Sequence, residues 1–428
     1  MNYNTQNAKI ASITEKTLIV GIDVGSETHY ARAFDWRNYE YSKKPLEFSN
    51  TETGFLTFKA WMEDIAEKYG KTAVIPGMEP TGHYWFALGK FLQDSGMKPV
   101  HVNPHHVKKS KELDDNNPNK NDRKDPKTIA ALVNEGRFSY PYIPTGIYAE
   151  IRSLSNLRFQ TQEELTRIKN RIARWFSIYF PEYKNVYGDL KAISGRMVLK
   201  AAPLPEDIVK LGVEGVNQIW RNAKLRGAGM KRARTLVSAA EHSIGSKEAP
   251  ESARIELENL LNDMDVYASR LEELLRNIEE KLKEIPYIDK LMEIKGIGLV
   301  TVSGFIAEVG DIGRFDNPKQ LQKLAGYAIV ANDSGKHNGE SRISYRGRKR
   351  LRYVLYEAAV SLIGKNTEFR EIHEYYRTRK ENPLKKMQSV VAVACKILRV
   401  FYTILTKGVD YDGKKLMGDI RRPQMQAA

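Results

Sequence analysis

The sequence predicts an α/β N-terminal domain followed by an all-α remainder, and three patterns support this fold class. From Thr17 to about Tyr142, strand patterns alternate with helical patterns. Glu251 to Ile285 carries apolar residues at alternating steps of three and four, a heptad typical of one long helix. From Pro286 onward the apolar segments indicate a compact helical domain.

The N-terminal third begins with a short apolar, β-branched run that ends at glycine, which is typical of a buried strand. We expect an antiparallel partner strand after a tight Gly25-Ser26 turn, and a helix that opens at Thr51. Residues 1–15 are predicted to be a loose tail. The predicted strands are 18–24, 29–36, 72–78 and 99–102, and the predicted helices run over 51–69, 80–92 and 125–134.

The middle of the chain predicts two long amphipathic helices, 148–181 and 251–285, with a helical insertion between them. This arrangement suggests an antiparallel coiled-coil arm, although core helices of one globular domain would show the same spacing. The predicted apolar stripe of the second helix comprises Leu257, Leu261, Met264, Ala268, Leu271, Leu275, Ile278 and Leu282.

The C-terminal part predicts a glycine hairpin between two helices at 294–301, a polar loop at 331–341 and a basic-then-apolar helix at 342–363. The last long helix is predicted at 383–405. Its most apolar stretch, 390–405, is interrupted by Lys396 and Arg399 and is too short and too charged to span a bilayer, so we expect it to pack in a core. Residues 408–428 are predicted to be a tail.

The composition favours a soluble protein with a polyanionic partner. The 428-residue chain is 41% hydrophobic and has a formal charge of +15, from 68 Lys and Arg against 53 Asp and Glu. Such an excess favours nucleic acid, although a generally basic, solvated surface would produce the same count. The single cysteine, Cys395, excludes a disulfide framework within the chain and fits a reducing cytoplasm.

Four carboxylates are candidates for a metal site: Asp23, Glu79, Asp122 and Asp125. Asp23 and Glu79 end two predicted strands, and Asp122 and Asp125 lie three residues apart at a helix entrance. Hard oxygen ligands of this kind suit Mg²⁺ and the clamping of phosphoryl oxygens. Alternatively, Asp125 before Pro126 is a plain helix cap, and Glu79 is a surface acid.

A second candidate site combines Ser334 with a cluster of cations that follows it in the sequence. A loop that presents a serine beside cations suits attack on a phosphodiester. The alternative is a Ser-Gly turn ahead of a helix whose arginines bind phosphate or water. The candidate nucleic-acid contacts are Lys336, Arg342, Arg346, Arg348, Lys349, Arg350 and Arg352, with Lys295, Gly296 and Gly298 in the hairpin.

Taken in order, these motifs resemble the DEDD-type insertion-sequence transposases, which include the Piv/MooV-like invertases and the bridge-RNA-guided recombinases. The matching segments are Gly21-Ile22-Asp23-Val24-Gly25, Glu79-Pro80-Thr81-Gly82-His83-Tyr84, Asn103-Pro104, Lys120-Asn121-Asp122-Arg123-Lys124-Asp125, Gly296-Ile297-Gly298, Ser334-Gly335 and Ile343-Ser344-Tyr345-Arg346-Gly347.

The resemblance implies a ribonuclease-H-like (RuvC-like) catalytic domain at 16–145, a coiled-coil dimerisation region with an insertion at 146–285, and a C-terminal transposase domain at 286–407. It implies that Asp23, Glu79, Asp122 and Asp125 hold Mg²⁺ and that Ser334 forms a covalent link to DNA. The implied partners are target and donor duplex DNA, a non-coding bridge RNA and further copies of the chain, as a homodimer or tetramer.

This sequence departs from the family pattern at two places. The region from about Tyr183 to Pro250 is longer than a minimal coiled coil needs, and Ser341 and Ser344 lie close to Ser334. The rival functions are a metal-dependent nuclease or junction resolvase with an inert Ser334, and a non-catalytic RNA-binding protein. An actin-like kinase is disfavoured because a second glycine-rich phosphate motif is missing.

Overall fold

A computed structural model shows two compact units, residues 1–143 and 144–428. The residues that the structure describes are 3–80, 82–114, 125–188, 190, 192–330, 333–334, 337–338 and 342–426.

The first unit is built on a six-stranded mixed sheet with the order β3-β2-β1-β4-β5-β6. β1 pairs antiparallel with β2 and parallel with β4, which makes it a central strand. β4 and β5 are parallel, and β6 closes the far edge antiparallel to β5. The strands are β1 Thr17–Val24, β2 Thr28–Phe34, β3 Leu46–Ser49, β4 Ala73–Met78, β5 Val100–Val102 and β6 Phe138–Ser139.

Helices cover both faces of this sheet. Leu18, Val20 and Ile22 share a core with helix residues Phe58 and Leu88. Ile19 instead belongs to a second core on the opposite face. Because side chains alternate along a strand, odd-numbered residues of β1 face this second core. The helices are α1 Tyr3–Ala11, α2 Glu52–Lys68, α3 Trp85–Asp94, α4 Pro104–Asp114 and α5 Asp125–Asn134; α2 and α3 pack on the first core and α5 on the second.

The second unit contains two long helices that pack antiparallel, α6 Gly146–Tyr179 and α11 Pro250–Leu282. Trp175, near the end of α6, donates its indole N–H to the carbonyl of Ala253 near the start of α11, at 3.0 Å. At the other end, Ile151 shares a core with Ile278. Five residues of the predicted stripe on α11 are buried, whereas Ala268, Leu271 and Leu275 are half-buried and Leu274 lies in the interior instead.

The segment between these helices folds into four further helices with a core of their own around Trp175 and Trp220. These are α7 Tyr183–Tyr187, α8 Ile193–Ala201, α9 Pro205–Asn222 and α10 Met230–Glu241. Helix α9 is kinked at Gly212, whose φ of 69° is not helical.

The rest of the second unit is a helical core centred on Phe305, Leu355 and Phe401. Its helices are α12 Ile288–Met292, α13 Leu299–Val309, α14 Pro318–Leu324, α15 Lys349–Lys365, α16 Thr367–Thr378, α17 Lys386–Lys407 and α18 Gly413–Gln426, with a 3-10 turn at Ile312–Arg314. Four short strands lie between α14 and α15: β7 Ile329–Val330, β8 Asp333–Ser334, β9 His337–Asn338 and β10 Arg342–Ile343.

Helix α17 is the one helix in the described ranges that is long and apolar enough to cross a membrane. Val393, Ile397 and Phe401 on this helix are at most 1% exposed in the protein core. It therefore packs as a core helix, as the interrupting charges predicted.

Several predicted irregular segments are ordered instead. Residues within 1–15 form α1, and residues within 408–428 form α18, where Met417 is buried in the C-terminal core. The predicted loop at 331–341 contains the paired strands β8 and β9. The sequence analysis also missed the edge strands β3 and β6, which are too short to show a pattern.

We predict that Gly21→Ala loosens the first unit. A methyl group at Gly21 would overlap the Pro126 carbonyl oxygen, so α5 must move away from β1. Overpacking of this kind costs about 1–3 kcal/mol or more. Hydrogen exchange measured by mass spectrometry should become faster in peptides that cover β1 and α5.

The matched control for this prediction is Gly364→Ala in α15, where an added methyl group meets nothing within 4 Å. This variant should exchange like the parent protein in β1 and α5. Unchanged protection in Gly21→Ala would contradict the close contact between α5 and β1.

Candidate functional site

Asp23 lies near the carboxyl end of the central strand β1. The preceding residues 17–22 are all buried, whereas Asp23 is partly exposed. An ionised carboxylate in an otherwise apolar strand requires polar or cationic compensation. The strand prediction is confirmed, and its one acid is the one residue of β1 that is partly exposed.

Glu79 follows β4 directly and continues the parallel register with β1. Ile22 pairs with Met78, so the next pair in the same register is Asp23 with Glu79. Neighbouring strands of a sheet lie about 4.8 Å apart. Two carboxylates from distant parts of the sequence therefore end neighbouring strands side by side.

Asp125 is the first residue of α5, and the packing of α5 brings it toward the same end of the sheet. The first turns of α5 lie against Gly21, since a methyl group there would overlap the Pro126 carbonyl. At the other end of the helix, Asn134 donates a hydrogen bond to the Asp35 carbonyl at 3.2 Å. Helix α5 thus runs antiparallel to β1, over the face to which Asp23 belongs by alternation.

Asp122, the fourth predicted carboxylate, lies outside the described residues. Within the described ranges, no group of three or more His, Cys, Asp or Glu side chains is close enough to hold a metal ion. The backbone thus brings Asp23, Glu79 and Asp125 to one end of the sheet without completing a cluster. Their hard oxygen donors are of the type that Mg²⁺ prefers.

His101 lies in β5 close to this end of the sheet, but on the opposite face. It is in register with Met78, a residue of the α2 side of the sheet, and its ring stands edge-on to Trp85 at 4.2 Å. Burial lowers the pKa of His101 to about 4. A neutral imidazole on the far face does not belong to the carboxylate group.

Ser334 lies in a short antiparallel ladder of the second unit. The backbone of Ser334 pairs with His337, and Asp333 pairs with Asn338. The strands β7 and β10 flank this ladder and pair with each other through Arg342 and Val330. The predicted nucleophile is therefore in a β-hairpin rather than in an irregular loop, and Lys336 and Ser341 lie outside the described residues.

Ser344, one of the two neighbouring serines, has a structural role at the base of this hairpin. Its partly buried hydroxyl donates to the carbonyl of Gly326 and accepts from the Arg346 N–H, both at 3.3 Å. The Ser344 N–H also donates to the Ala328 carbonyl at 2.8 Å. These contacts argue against Ser344 as the nucleophile.

The base of the hairpin is held from both sides. Gly347 packs so closely on Gly326 and Leu324 that a methyl group would overlap their backbone atoms. Arg352 donates to the carbonyls of Ala325 and Tyr345, at 3.0 and 3.3 Å. Tyr345 is 63% exposed at a φ of 54°, a strained conformation for a residue other than glycine.

Three of the predicted nucleic-acid contacts have partners within the protein. Arg348 donates to the Glu308 carbonyl at 2.8 Å, and Arg350 donates to Asn156 and stacks over a neighbouring ring. With Arg352, these arginines hold α15 in place. Burial raises the pKa of Glu308 despite the nearby Arg350.

The other described cations of this set are solvent-exposed: Arg342, Arg346, Lys349 and Lys295. Gly296 has a φ of 106°, and its carbonyl accepts from the Ser361 hydroxyl at 2.8 Å. Gly298 caps the start of α13 and faces open space. Residues 293–298 thus connect α12 to α13 through these two glycines, and the predicted basic set divides into structural and exposed members.

The sequence analysis missed Glu308, for which no sequence signal exists, since it is one of many helix acids. It also missed a second hairpin, Gly227-Ala228-Gly229, between α9 and α10. The sequence does show this hairpin, because an apolar residue lies between two glycines there, as in Gly296-Ile297-Gly298.

A mixed sheet with carboxylates at one end and a helical unit with exposed cations fit an enzyme that acts on nucleic acid. Residues 20–181 match a family described as transposase, with the DEDD domain of IS110-type elements. Residues 288–377 match the family described as transposase IS116/IS110/IS902. Together the two matches cover more than half of the chain, which therefore belongs to the IS110/IS116 transposase family.

Proteins of three insertion elements are similar to the chain. It is 24% identical to the IS116 uncharacterized 44.8 kDa protein of Streptomyces clavuligerus over 67% of this chain and 71% of that protein. It is 23% identical to the IS900 uncharacterized 42 kDa protein of Mycobacterium paratuberculosis over 66% and 71%. The IS110 uncharacterized 43.6 kDa protein of Streptomyces coelicolor is 20% identical over 94% and 97%.

We predict that His101 makes the first unit less stable in acid. Its folded pKa of about 4 lies below the ordinary value of 6.5, so the unfolded chain binds more protons between these pH values. The contribution of His101 to the free energy of unfolding is therefore fully present above pH 6.5 and is lost as the pH falls toward 4. His101→Phe should flatten this part of the profile, measured by denaturant unfolding at each pH.

The control for the His101 prediction is His242→Phe, at an exposed histidine of the second unit. It should leave the acid limb of the profile unchanged. An equally steep limb in His101→Phe and in the parent protein would contradict a buried neutral His101.

Proposed function

We propose that this transposase cuts and rejoins target and donor DNA through a phosphoserine intermediate formed by Ser334. The observation that carries the proposal is the placement of Asp23, Glu79 and Asp125 at one end of the sheet. The order β3-β2-β1-β4-β5-β6 supports a ribonuclease-H-like domain for this unit. Family membership supports DNA as the substrate.

The carboxylates of Asp23, Glu79, Asp122 and Asp125 would hold Mg²⁺ in this proposal. A bound divalent ion supplies charge stabilisation for non-bridging phosphoryl oxygens. The chain itself fixes the donors, because two are anchored by neighbouring parallel strands and one by the start of α5. Fixed donors need little reorganisation when a phosphate arrives.

The Ser334 hydroxyl would attack phosphorus and form a serine–phosphate ester as the bond to one deoxyribose oxygen breaks. The hydroxyl proton leaves to a base or solvent, and the departing oxygen takes up a proton. The bond energy is conserved in the ester, so a second deoxyribose hydroxyl can reverse the step without ATP. The hairpin base, held by Ser344 and Arg352, would fix the position from which the serine attacks.

Arg342, Arg346 and Lys349 are the exposed cations near the hairpin that suit binding of the DNA backbone. Sequence would be read by a structured bridge RNA that pairs with both DNA sites. The serine and the acids belong to different units, so the active complex would be a homodimer or tetramer that assembles complete sites. This reaction places the protein in the cytoplasm of a prokaryotic cell, at the nucleoid.

We expect Ser334→Ala to abolish a covalent protein–DNA adduct. Labelled DNA, Mg²⁺, flanking RNA and protein are incubated and resolved on a denaturing gel, where the parent protein gives a shifted band. The matched control, Ser344→Ala, should still give the band, in a reduced amount, because it loses one support of the hairpin base but keeps the Ser334 nucleophile. DNA cutting by Ser334→Ala without an adduct would instead favour the metal-dependent nuclease.

We expect Asp23→Asn and Glu79→Gln each to lower strand cleavage by about a hundredfold or more, since each removes a fixed charged group from the site. Cleavage is measured over a range of Mg²⁺ concentrations. Asp64→Asn, at an exposed acid of α2, is the control and should cleave like the parent protein.

A mixture of Asp23→Asn and Ser334→Ala chains tests whether sites are shared between copies. Regained cleavage supports a shared site, and no regained cleavage counts against it. Normal activity in both single carboxylate variants would contradict the proposed metal site itself.

A further inference from the structure

The connection between α9 and α10 resembles the connection before α13 at its two glycines. Gly227 has a φ of 85°, and Gly296 has a φ of 106°. The second glycine of each hairpin is extended and caps the following helix, at Gly229 and Gly298. The apolar residues between the glycines, Ala228 and Ile297, are 6% and 8% exposed. Two connections between helices of the second unit thus share a glycine of positive φ, a buried apolar residue and an extended glycine that caps the next helix.

The two hairpins differ in charge. The six charged residues from 215 to 240 are all basic: Arg221, Lys224, Arg226, Lys231, Arg232 and Arg234. Each of the six is solvent-exposed. The other hairpin, at 288–301, balances Lys290 and Lys295 with Asp289 and Glu293. The hairpin between α9 and α10 is therefore the more basic surface of the two.

The hairpin is open to a large partner. A methyl group at Gly227 would meet nothing within 4 Å, so the backbone can be approached closely there. Beside it lies a cavity of about 570 Å³, lined by Asn185, Gly227, Gly229, Lys231, Arg232 and Thr235. Concave basic surfaces of this kind concentrate polyanions.

The aromatic residues of this region are not available for stacking on bases. Trp220 is fully buried, and its indole N–H donates to the Ser194 carbonyl at 2.9 Å. Tyr187 lies partly buried beneath Arg232, whose guanidinium is 5.3 Å from the ring centre. Binding of single strands relies on exposed aromatic platforms, whereas duplex binding relies on contacts to phosphates.

We propose that this surface, which we call the α9–α10 basic hairpin, binds the phosphate backbone of duplex DNA independently of sequence. Duplex DNA is the polyanion that a transposase encounters, and the surface offers charge without groups that read bases. It lies in the helical insertion of the second unit and includes neither the carboxylates nor Ser334. It would hold a duplex segment without taking part in the cleavage chemistry.

The test removes three charges from the α9–α10 basic hairpin in the full-length chain: Arg226→Ala, Lys231→Ala and Arg234→Ala. Binding to a 30-base-pair duplex of arbitrary sequence is measured over a range of salt concentrations. If each cation contacts one phosphate, the slope of log affinity against log salt falls by about 2–3. Affinity near 0.1 M salt should fall by about tenfold or more.

The matched control removes the same charge from α11 and its end, where acids are interspersed: Arg270→Ala, Arg276→Ala and Lys283→Ala. This variant should keep a slope close to that of the parent protein. Equal losses in the two variants would show a general charge effect and overturn the proposal. A loss confined to RNA duplex or to single-stranded DNA would also overturn it.

Lysine acetylation footprinting provides a second measurement that does not depend on variants. Duplex DNA should protect Lys224 and Lys231 from acetylation and leave Lys283 reactive. Unprotected Lys224 and Lys231 in the saturated complex would overturn the proposal. Because binding needs no chemistry at Ser334, failure of the phosphoserine mechanism would leave this result unchanged.

Discussion

The contact between α5 and Gly21 is the constraint on which the architecture of the carboxylate site depends. A strand residue without a side chain lets the first turns of α5 lie directly on the central strand. That contact fixes the direction of α5, together with the hydrogen bond that Asn134 donates at the other end of the helix. As a result, the start of α5 lies at the end of the sheet where the acidic residues of β1 and β4 are located. Because Gly21 has no side chain, residues about a hundred positions apart in the chain come to the same end of the sheet.

The serine hairpin depends on a different kind of constraint. Its base is held by backbone contacts, through Gly347 on Gly326 and through the carbonyls that accept from Arg352. Ser344 and Arg348 add further bonds, so the arginines that look like a DNA-binding set partly serve the fold. Buried or engaged cations are poor phosphate ligands, because their charge is already partly satisfied. Only the exposed cations are therefore suited to the proposed contacts with DNA.

Charge is distributed unevenly over the second unit. Residues 215–240, around the α9–α10 basic hairpin, carry cations without acids, while α11 mixes both signs along its exposed face. Mixed surfaces create weak fields beyond a few ångströms, whereas a surface of one sign attracts a polyanion from further away. The insertion that lengthens the middle of the chain thus has a charge pattern suited to DNA.

The sequence by itself determined the alternation of strands and helices in the first unit, the long helices α6 and α11 and the buried helix α17. Each follows from local apolar spacing, which reports the face that is buried. The positions of Asp23 and Glu79 at strand ends were equally visible, because both acids interrupt or follow apolar runs. The identity of the family also followed from short motifs in order.

Only the tertiary structure decided which elements cover those faces. The register of β1 with β4, the direction of α5 and the pairing of the edge strands β3 and β6 arise from contacts between distant residues. The helix α18 forms where the sequence looked like a tail, because Met417 finds a place in the C-terminal core. Likewise, the division of the arginines into structural and exposed members depends on partners such as Glu308 and Asn156. Local patterns carry no information about those partners, since the chain brings them together only on folding.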